Sequence, residues 1–469
     1  MQNGAVKNKN ELDLTSGKLF PKMIRLAVPL IITSVLQLLF NAADMIVVGK
    51  FDTQGDSAIA AIGSTTSVVA LLVNFFIGLT AGTGVVLARC YGAKNAQKGD
   101  KVLHTSMIMG FVSGLVIALL GSVLTTTILT LMSCPKECFD LATIYLVIYF
   151  LGSPFNLVYN VGAAAMRSVG DTKRPLIFLT IAGIINIIVN LITVIAFNMS
   201  VAGVALATVS SHAVSAILVV IALIKNGGFV RLRLSALKLD FAVLKEVLTY
   251  GVPSGIQSSL FAFTNVLSQT AINEWGETVI AGNAAAANLG SFVFTVIQAI
   301  GNTTATAVGQ NYGAKNFERI KKTVFLSISM VVVSALTISL MELIFANELL
   351  SLYSDTPEAI EYGVMRVKTI IMLYFIAGIM EVCNHSLRGI GYSLTPMLIA
   401  LGGTCAFRLL WIYTVYPAWH EFMCLLLSWP ASWTVTCITA GIFLIVNYKK
   451  RVREYEATEF LIQNPSKSS

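Results

Sequence analysis

Long apolar runs recur along the whole chain, and they restrict the fold more than any other feature. Crossing about 30 Å of hydrocarbon takes roughly 20 apolar residues in a helix. Twelve such runs begin near residues 24, 58, 101, 139, 175, 201, 245, 280, 321, 361, 393 and 422. Only helices and closed barrels satisfy every backbone group in lipid, and the alternating segments typical of barrel strands are not seen. The sequence therefore predicts an all-α polytopic membrane protein with twelve transmembrane helices.

Positive charge lies mainly on one side of the predicted helices. The net charge is +8, and most Lys and Arg residues fall at the termini or in the loops after even-numbered helices. This is the positive-inside pattern, which places both termini in the cytoplasm. The pattern explains the basic charge without a nucleic-acid partner, and it makes the lipid bilayer the expected surroundings.

The chain contains two copies of one half. "YGAKN" occurs at 91–95 and again at 312–316, and "MRSVGDTKRP" corresponds to "LRGIGYSLTP" at the same separation of 221. Earlier, "AVP" at 27–29 corresponds to "GVP" at 251–253, a separation of 224. Because each half holds six helices, the halves have the same orientation and are related by an axis along the membrane normal. We expect two six-helix bundles, V-shaped around a central cleft, as in alternating-access transporters.

The repeat and the charges divide the chain into five parts. These are a cytoplasmic N-terminus (1–23), an N-lobe of helices 1–6 (24–224), a basic cytoplasmic linker (225–244), a C-lobe of helices 7–12 (245–447) and a cytoplasmic C-terminus (448–469). The basic linker is expected to include an amphipathic helix on the membrane surface.

No residue pattern typical of an enzyme or a metal site is present. The sequence has no HExxH, no GxSxG and no phosphate-binding loop. Its seven cysteines are scattered without a CxxC pair, as small apolar residues of packed helices would be. The sequence therefore predicts neither catalysis nor a bound metal or cofactor.

Polar side chains form faces on four of the predicted N-lobe helices. Neighbours three or four residues apart share a helix face, and the polar residues are Gln37, Asn41, Asn156, Asn160, Asn186, Asn190, Thr208 and His212. Two interpretations remain open for them: the lining of a hydrated substrate cavity, or interhelical hydrogen bonds that hold the bundle together. A histidine can also change its charge near neutral pH.

Asp44, in "FNAADMIVV", is a carboxylate inside the first predicted helix. Hydrocarbon disfavours its charged form, so an unpaired Asp there could exchange a proton in the physiological range, as a proton relay requires. The repeat offset of 224 puts Ser268 at the position of Asp44 and Asn265 at the position of Asn41. The shared scaffold therefore does not require the acid, and we interpret Asp44 as a proton-coupling residue.

The C-lobe has its own charged candidates inside predicted helices. Glu381 lies on the tenth helix and Arg408 on the eleventh, and His385 follows Glu381 by four residues. We expect an ion pair between Glu381 and Arg408, with His385 in the same network. The alternative is a role in transport.

Together these features resemble the multidrug and toxic compound extrusion (MATE) family of bacterial transporters. The resemblance rests on the twelve helices, the six-helix repeat, the Asp in "FNAADMIVVG" and the paired "RxxG" turns before Pro. It implies a secondary antiporter in the bacterial cytoplasmic (inner) membrane, through which amphipathic, often cationic drugs leave as protons or sodium ions enter. Asp44 matches the first-helix aspartate of the proton-driven branch, and Gln37, Asn186 and Thr208 match polar positions of its N-lobe cavity.

Two departures from the family pattern bear on coupling. The proton-driven branch often has a second aspartate on the fifth helix, where this chain has Asn190. The branch with an essential acid on the seventh helix is not matched, because this seventh helix has none. Our hypothesis is a monomeric, proton-coupled exporter of amphipathic cations that needs no cofactor. The alternatives are a sodium-coupled exporter of the same fold and a lipid-linked oligosaccharide flippase, which should have more helices and a basic central cavity.

Overall fold

The computed structural model describes residues 10–51, 55–132 and 134–463, and these are almost entirely helical. The predicted terminal segments at 1–9 and 464–469 lie outside the described residues. The principal α-helices, in chain order, are α1 (Leu19–Phe51), α2 (Gly55–Gly92), α3 (Ala96–Leu131), α4 (Phe139–Leu151), α5 (Ser153–Ser168), α6 (Lys173–Leu191), α7 (Ser200–Lys225), α8 (Phe241–Asn273), α9 (Glu277–Gly313), α10 (Phe317–Ile344), α11 (Ala346–Ser351), α12 (Pro357–Thr369), α13 (Tyr374–Ile390), α14 (Leu394–Ile399), α15 (Phe407–Leu410), α16 (Tyr416–Ala418) and α17 (Phe422–Gln463).

The helices account for the twelve predicted membrane crossings. Among the described residues, ten helices are long and apolar enough to cross a bilayer, and a bent pair of helices makes an eleventh. The remaining predicted crossing corresponds to α8. This helix has 33 residues, but its hydropathy is lower because it contains Ser, Thr, Gln and Asn. The predicted all-helical membrane protein is confirmed, and no described residue lies in a strand.

Two crossings are broken where the sequence interrupts the helix. The fourth is bent by 46° between α4 and α5, where Gly152 precedes a proline at the start of α5. Proline is favoured there because it lacks an N–H and its φ angle already suits a helix. The tenth is divided into α12 and α13 by the 3₁₀ turn Ile371–Leu373.

The fifth and eleventh crossings contain π-helical turns, in which the chain bulges outward. The turn Ile192–Ala196 follows α6, and the turns Ala400–Ala406 and Trp411–Val415 lie on either side of α15. With the repeat separation of 221, Ile192–Ala196 corresponds to 413–417 and so overlaps the last of these turns. Turns of this kind frequently accompany functional sites.

By its internal contacts the chain divides into two compact units. The first unit comprises Ile24–Gly255 with the described residues before Leu14, and the second comprises Leu14–Met23 and Ile256–Ser469. The boundary falls inside α8, later in the chain than the predicted linker at 225–244.

The linker region does not form the amphipathic helix that the sequence suggests. Between the end of α7 and the start of α8, residues 226–240 contain only the 3₁₀ turn Leu234–Ala236, because polar groups of this segment bond to α3 instead. Arg233 donates to both carboxylate oxygens of Asp100 at 3.0 Å, and its backbone N–H donates to His104 Nε2 at 3.1 Å. These bonds hold the linker in an irregular path against α3.

Glycines allow very close helix packing within the first unit. A Cβ added to Gly82 of α2 would lie 2.3 Å from the carbonyl oxygen of Val247 in α8, and one added to Gly251 would lie 2.4 Å from that of Leu79. Each helix has a second glycine four residues away, Gly78 and Gly255. Such small-residue stripes drive helix association in lipid, where the hydrophobic effect contributes little.

Candidate functional site

Asp44 lies beside Asn190 inside the first unit. Asp44 is half-buried in α1 and Asn190 is buried near the end of α6, just before the π turn. The Asn190 side-chain Nδ2 donates to Asp44 Oδ1 at 2.9 Å. Among the described residues, no Lys, Arg or His nitrogen lies within 4.0 Å of the carboxylate. The amide stabilises the ionised form, but the charge has no cation to compensate it, so protonation changes the net charge of the site by one unit.

A second polar group lies elsewhere in the same unit. Asn156 Nδ2 donates to His212 Nε2 at 3.3 Å, and Asn160 Nδ2 donates to the backbone oxygen of Asn156 at 2.9 Å. The ring of Tyr149 meets the His212 ring edge-on at 6.4 Å between centroids. A cavity of about 30 Å³ beside Asn156 and Asn160, large enough to admit water, is otherwise lined mainly by apolar side chains such as Phe76.

The other predicted cavity residues belong to neither group. Asn186 is buried one turn before Asn190, and its Oδ1 has no partner among the described residues. Thr208 bonds within its own helix, to the Val204 carbonyl at 3.0 Å. Gln37 and Asn41 are exposed on α1. The predicted polar faces are therefore present as two clusters and four separate side chains, and their roles in substrate binding remain predictions.

In the second unit, the predicted ion pair between Glu381 and Arg408 does not form. Glu381 instead approaches His385, with 3.6 Å between Oε2 and Nε2. Arg408 donates through Nη1 to Asn265 Oδ1 at 3.1 Å and through Nη2 to Ser432 Oγ at 3.1 Å. The ion pair does not form because Arg408 contacts neutral acceptors on α8 and α17, whereas Glu381 lies one turn from His385 on α13.

Sequence reasoning missed the buried arginine Arg366 in this unit. Arg366 is not among the charged C-lobe candidates that the sequence indicates, but the structure buries it, and its Nη1 donates to Asn283 Oδ1 at 2.6 Å. A signal was available: Arg366 shares one face of α12 with Ala359 and Gly363, which are small and also buried. A cation on the small-residue face of an amphipathic helix points inward rather than to solvent.

Comparisons with known proteins show the family. The MatE family model matches residues 29–192 and again residues 253–414, one match in each repeat. A "Probable multidrug resistance protein YoeA" of Bacillus subtilis is 26% identical over 80% of this chain and 82% of its own. The "Multidrug export protein MepA" of Staphylococcus aureus is 24% identical over 82% of each chain. An "FAD transporter" of Shewanella oneidensis is 23% identical over 84% of this chain and 87% of its own.

Solved structures have the same fold. A crystal structure of MATE in complex with MaL6 superposes with a TM-score of 0.88 at 21% identity, covering 95% of this chain and 99% of that one. An outward-facing multidrug resistance MATE transporter superposes with a TM-score of 0.87 at 20% identity, with the same coverage. With the family model matched in both repeats, these comparisons show that the chain is a multi-pass membrane protein that belongs to the MatE family of transporters.

Proposed function

We propose that this protein is a proton-coupled antiporter that exports amphipathic, often cationic, organic compounds, and that Asp44 is the coupling group. The observation that supports the proposal best is the contact between Asp44 and Asn190. It places one half-buried carboxylate in a membrane-spanning helix beside a neutral donor, without a cation within 4.0 Å among the described residues. A carboxylate in such surroundings can alternate between a neutral and a charged form at modest cost.

The transport cycle uses this change of charge. Asp44 takes up a proton from outside, the neutral site releases its cationic substrate, and the transporter turns to face the cytoplasm. There Asp44 gives up the proton, and the carboxylate attracts the next substrate. Each proton that moves inward down a membrane potential gains roughly 2.3 kcal/mol per 100 mV, which can drive a neutral compound outward. Exchange of one proton for one singly charged cation is electroneutral, so the proton concentration gradient drives it.

The proposed substrate class has two kinds of support. Relatives named for multidrug resistance or multidrug export match about four-fifths of this chain, and the first unit offers polar side chains among apolar ones. We assign the substrate cavity to the N-lobe polar residues, which are Gln37, Asn41, Asn156, Asn160, Asn186, Asn190, Thr208 and His212. Mostly apolar walls with a few polar groups are typical of sites for amphipathic ligands.

The proposal includes topology and assembly. The distribution of Lys and Arg supports a cytoplasmic-membrane protein with both termini in the cytoplasm, and each chain carries both halves of the internal repeat. A monomer is therefore the proposed transport unit, with the parts at 1–23, 24–224, 225–244, 245–447 and 448–469 as predicted.

Purified protein in liposomes tests the proposal. Substrate addition should release protons in the absence of sodium, and Asp44→Asn should abolish the release while leaving the folded protein intact. Asp140→Asn is the matched control, because Asp140 is an exposed acid at the start of α4, and it should behave like wild type. Exchange at the normal rate in Asp44→Asn would contradict the assignment. Exchange that requires sodium and is indifferent to pH would favour the sodium-coupled alternative.

A further inference from the structure

Two buried arginines of the second unit lie beside one indole ring. The guanidinium carbons of Arg366 and Arg408 are 5.4 Å and 5.0 Å from the ring centroid of Trp429. The two carbons can therefore be no farther apart than the sum of these distances. Arg366 is 7% exposed and Arg408 2%, so both charges are largely withdrawn from solvent.

No acid among the described residues of this unit pairs directly with either arginine. Among the described residues, no carboxylate oxygen lies within 4.0 Å of a nitrogen of either arginine. This includes the buried acids Glu342 and Glu381, of which Glu381 is instead near His385. Two like charges in a region of low dielectric repel each other, and withdrawing each from water costs several kcal/mol.

Neutral oxygens occupy only part of the hydrogen-bonding capacity. Arg366 donates to Asn283, and Arg408 donates to Asn265 and Ser432. The Nε of Arg366 is buried without a partner among the described residues. These acceptors satisfy hydrogen bonds but leave the charge uncompensated, whereas an anion supplies both acceptor oxygens and the opposite charge.

The internal repeat puts part of this cluster on the crossings that are equivalent to those of the carboxylate site. The contact between Asp44 and Asn190 joins the first and fifth crossings, and the contact between Asn265 and Arg408 joins the seventh and eleventh, which are their repeat equivalents. A π-helical turn follows each contact, at Ile192–Ala196 and Trp411–Val415. By the repeat offsets, Asn265 and Arg408 correspond to Asn41 and Ile187, three residues before Asp44 and Asn190. The equivalent crossings of the second unit therefore carry the opposite charge about one helical turn away.

We propose that the second unit binds an organic anion, with its carboxylate or phosphate group at Arg366 and Arg408 and its apolar or aromatic part against Trp429. The planar guanidinium fork matches carboxylate and phosphate oxygens, and the indole ring offers a large apolar face. Asn265 is exposed although its partner Arg408 is buried. The anion therefore enters on the side of Asn265 and takes the position of its amide oxygen.

The same chemistry can come from two sources, a soluble amphipathic anion or the phosphate of a lipid headgroup. Titration calorimetry with phenyl phosphate tests whether the second unit binds a phosphate joined to an aromatic ring, since both sources have in common an anionic group on an apolar body. The measurement uses the full chain in phosphatidylcholine nanodiscs. Arg366→Gln and Arg408→Gln should each weaken binding about 10- to 100-fold, because hydrogen bonds to charged groups contribute about 1.5–3 kcal/mol. Arg233→Gln, which removes an exposed charge paired with Asp100, should leave the affinity unchanged.

The variant Asn265→Ala distinguishes an arginine pair that binds a ligand from one that has only a structural role. The variant removes an acceptor that competes for Arg408, so phenyl phosphate should bind several-fold more tightly than to wild type. An arginine pair that merely packs against Trp429 would show no such gain. This variant decides the matter if the glutamine variants fail to fold: unchanged affinity in Asn265→Ala would then overturn the proposal.

Nanodiscs that contain phosphatidylglycerol distinguish the two sources. If this lipid lowers the affinity for phenyl phosphate in wild type and is retained through purification by wild type but not by Arg408→Gln, the ligand is a headgroup phosphate. If it has no effect on phenyl phosphate binding, the ligand is a soluble anion. Wild type that neither binds phenyl phosphate nor retains the anionic lipid overturns the proposal, as do folded glutamine variants that both bind like wild type.

Discussion

Replacing Asn190 by Val removes the amide that donates to Asp44 Oδ1 at 2.9 Å. A hydrogen bond to a charged group contributes about 1.5–3 kcal/mol, and most of this is lost from the ionised form, because a protonated carboxyl group accepts a weaker bond. Since 1.4 kcal/mol corresponds to a factor of ten, the affinity of Asp44 for a proton should rise about 10- to 100-fold. Proton release should then require a pH about 1 to 2 units higher.

Infrared spectroscopy measures this shift directly. The band of the protonated Asp44 carboxyl group is assigned by its loss in Asp44→Asn, and its disappearance is followed as pH rises. Substrate-driven proton release from liposomes should shift in parallel. Asn186→Val is the control for the infrared midpoint of Asp44, since Asn186 is buried one turn earlier on the same helix and makes no bond to Asp44 among the described residues. The same midpoint in Asn190→Val and wild type, or an equal shift in the control, would refute the coupling role of this contact.

Three further substitutions test the packing of the first unit by thermal unfolding of the purified protein. His212→Phe deprives Asn156 of its acceptor and should cost about 1–3 kcal/mol. Phe150→Ala removes a ring that is 1% exposed and should cost about 3–5 kcal/mol; a loss below 1 kcal/mol would contradict the packing. Arg174→Gln leaves Asp171 buried without its cation. Burial raises the pKa of Asp171, so the folded chain holds that proton more tightly than the unfolded chain does. The destabilisation, about 3–5 kcal/mol at neutral pH, should therefore shrink as pH falls through the raised pKa, and an unchanged deficit at acidic pH would refute this.

Hydrophobic runs and the internal repeat predicted the helices because few backbone structures are stable in lipid. Every backbone group in hydrocarbon must be bonded within a helix or a closed barrel, so run length alone indicates a crossing. The length of an apolar run could not predict the irregular features. The π turn at Ile192–Ala196 and the irregular path at 226–240 depend on bonds to neighbouring elements, and local sequence does not encode those partners.

Polar faces were predictable along one helix but not between helices. The three-to-four spacing correctly brings Asn156 and Asn160 together, with a side-chain to backbone bond. It could not show that His212 would join this pair or that Asn190 would join Asp44. Contacts between helices depend on the rotation of each helix in the bundle, which packing decides.

In the second unit, charge complementarity predicted the partners of buried residues poorly. It paired Glu381 with Arg408 because each appeared to lack another partner, yet the structure places Arg408 with Asn265 and Ser432. It also did not identify Arg366, which α12 buries beside Asn283. A cation in hydrocarbon need not be near an acid of its own chain, because neutral acceptors and an aromatic ring can hold it until an anion arrives.

The two units show how one scaffold can serve opposite charges. In the first unit a carboxylate on the first crossing meets an amide on the fifth, and in the second unit an amide on the seventh meets a guanidinium on the eleventh. In each case one partner is neutral, so the site keeps a net charge that a proton or a bound ion can cancel. A full ion pair at either place would be self-compensated and insensitive to both. The neutral partners Asn190 and Asn265 are therefore as informative about function as the charged residues they contact, and substituting them tests the two proposals independently.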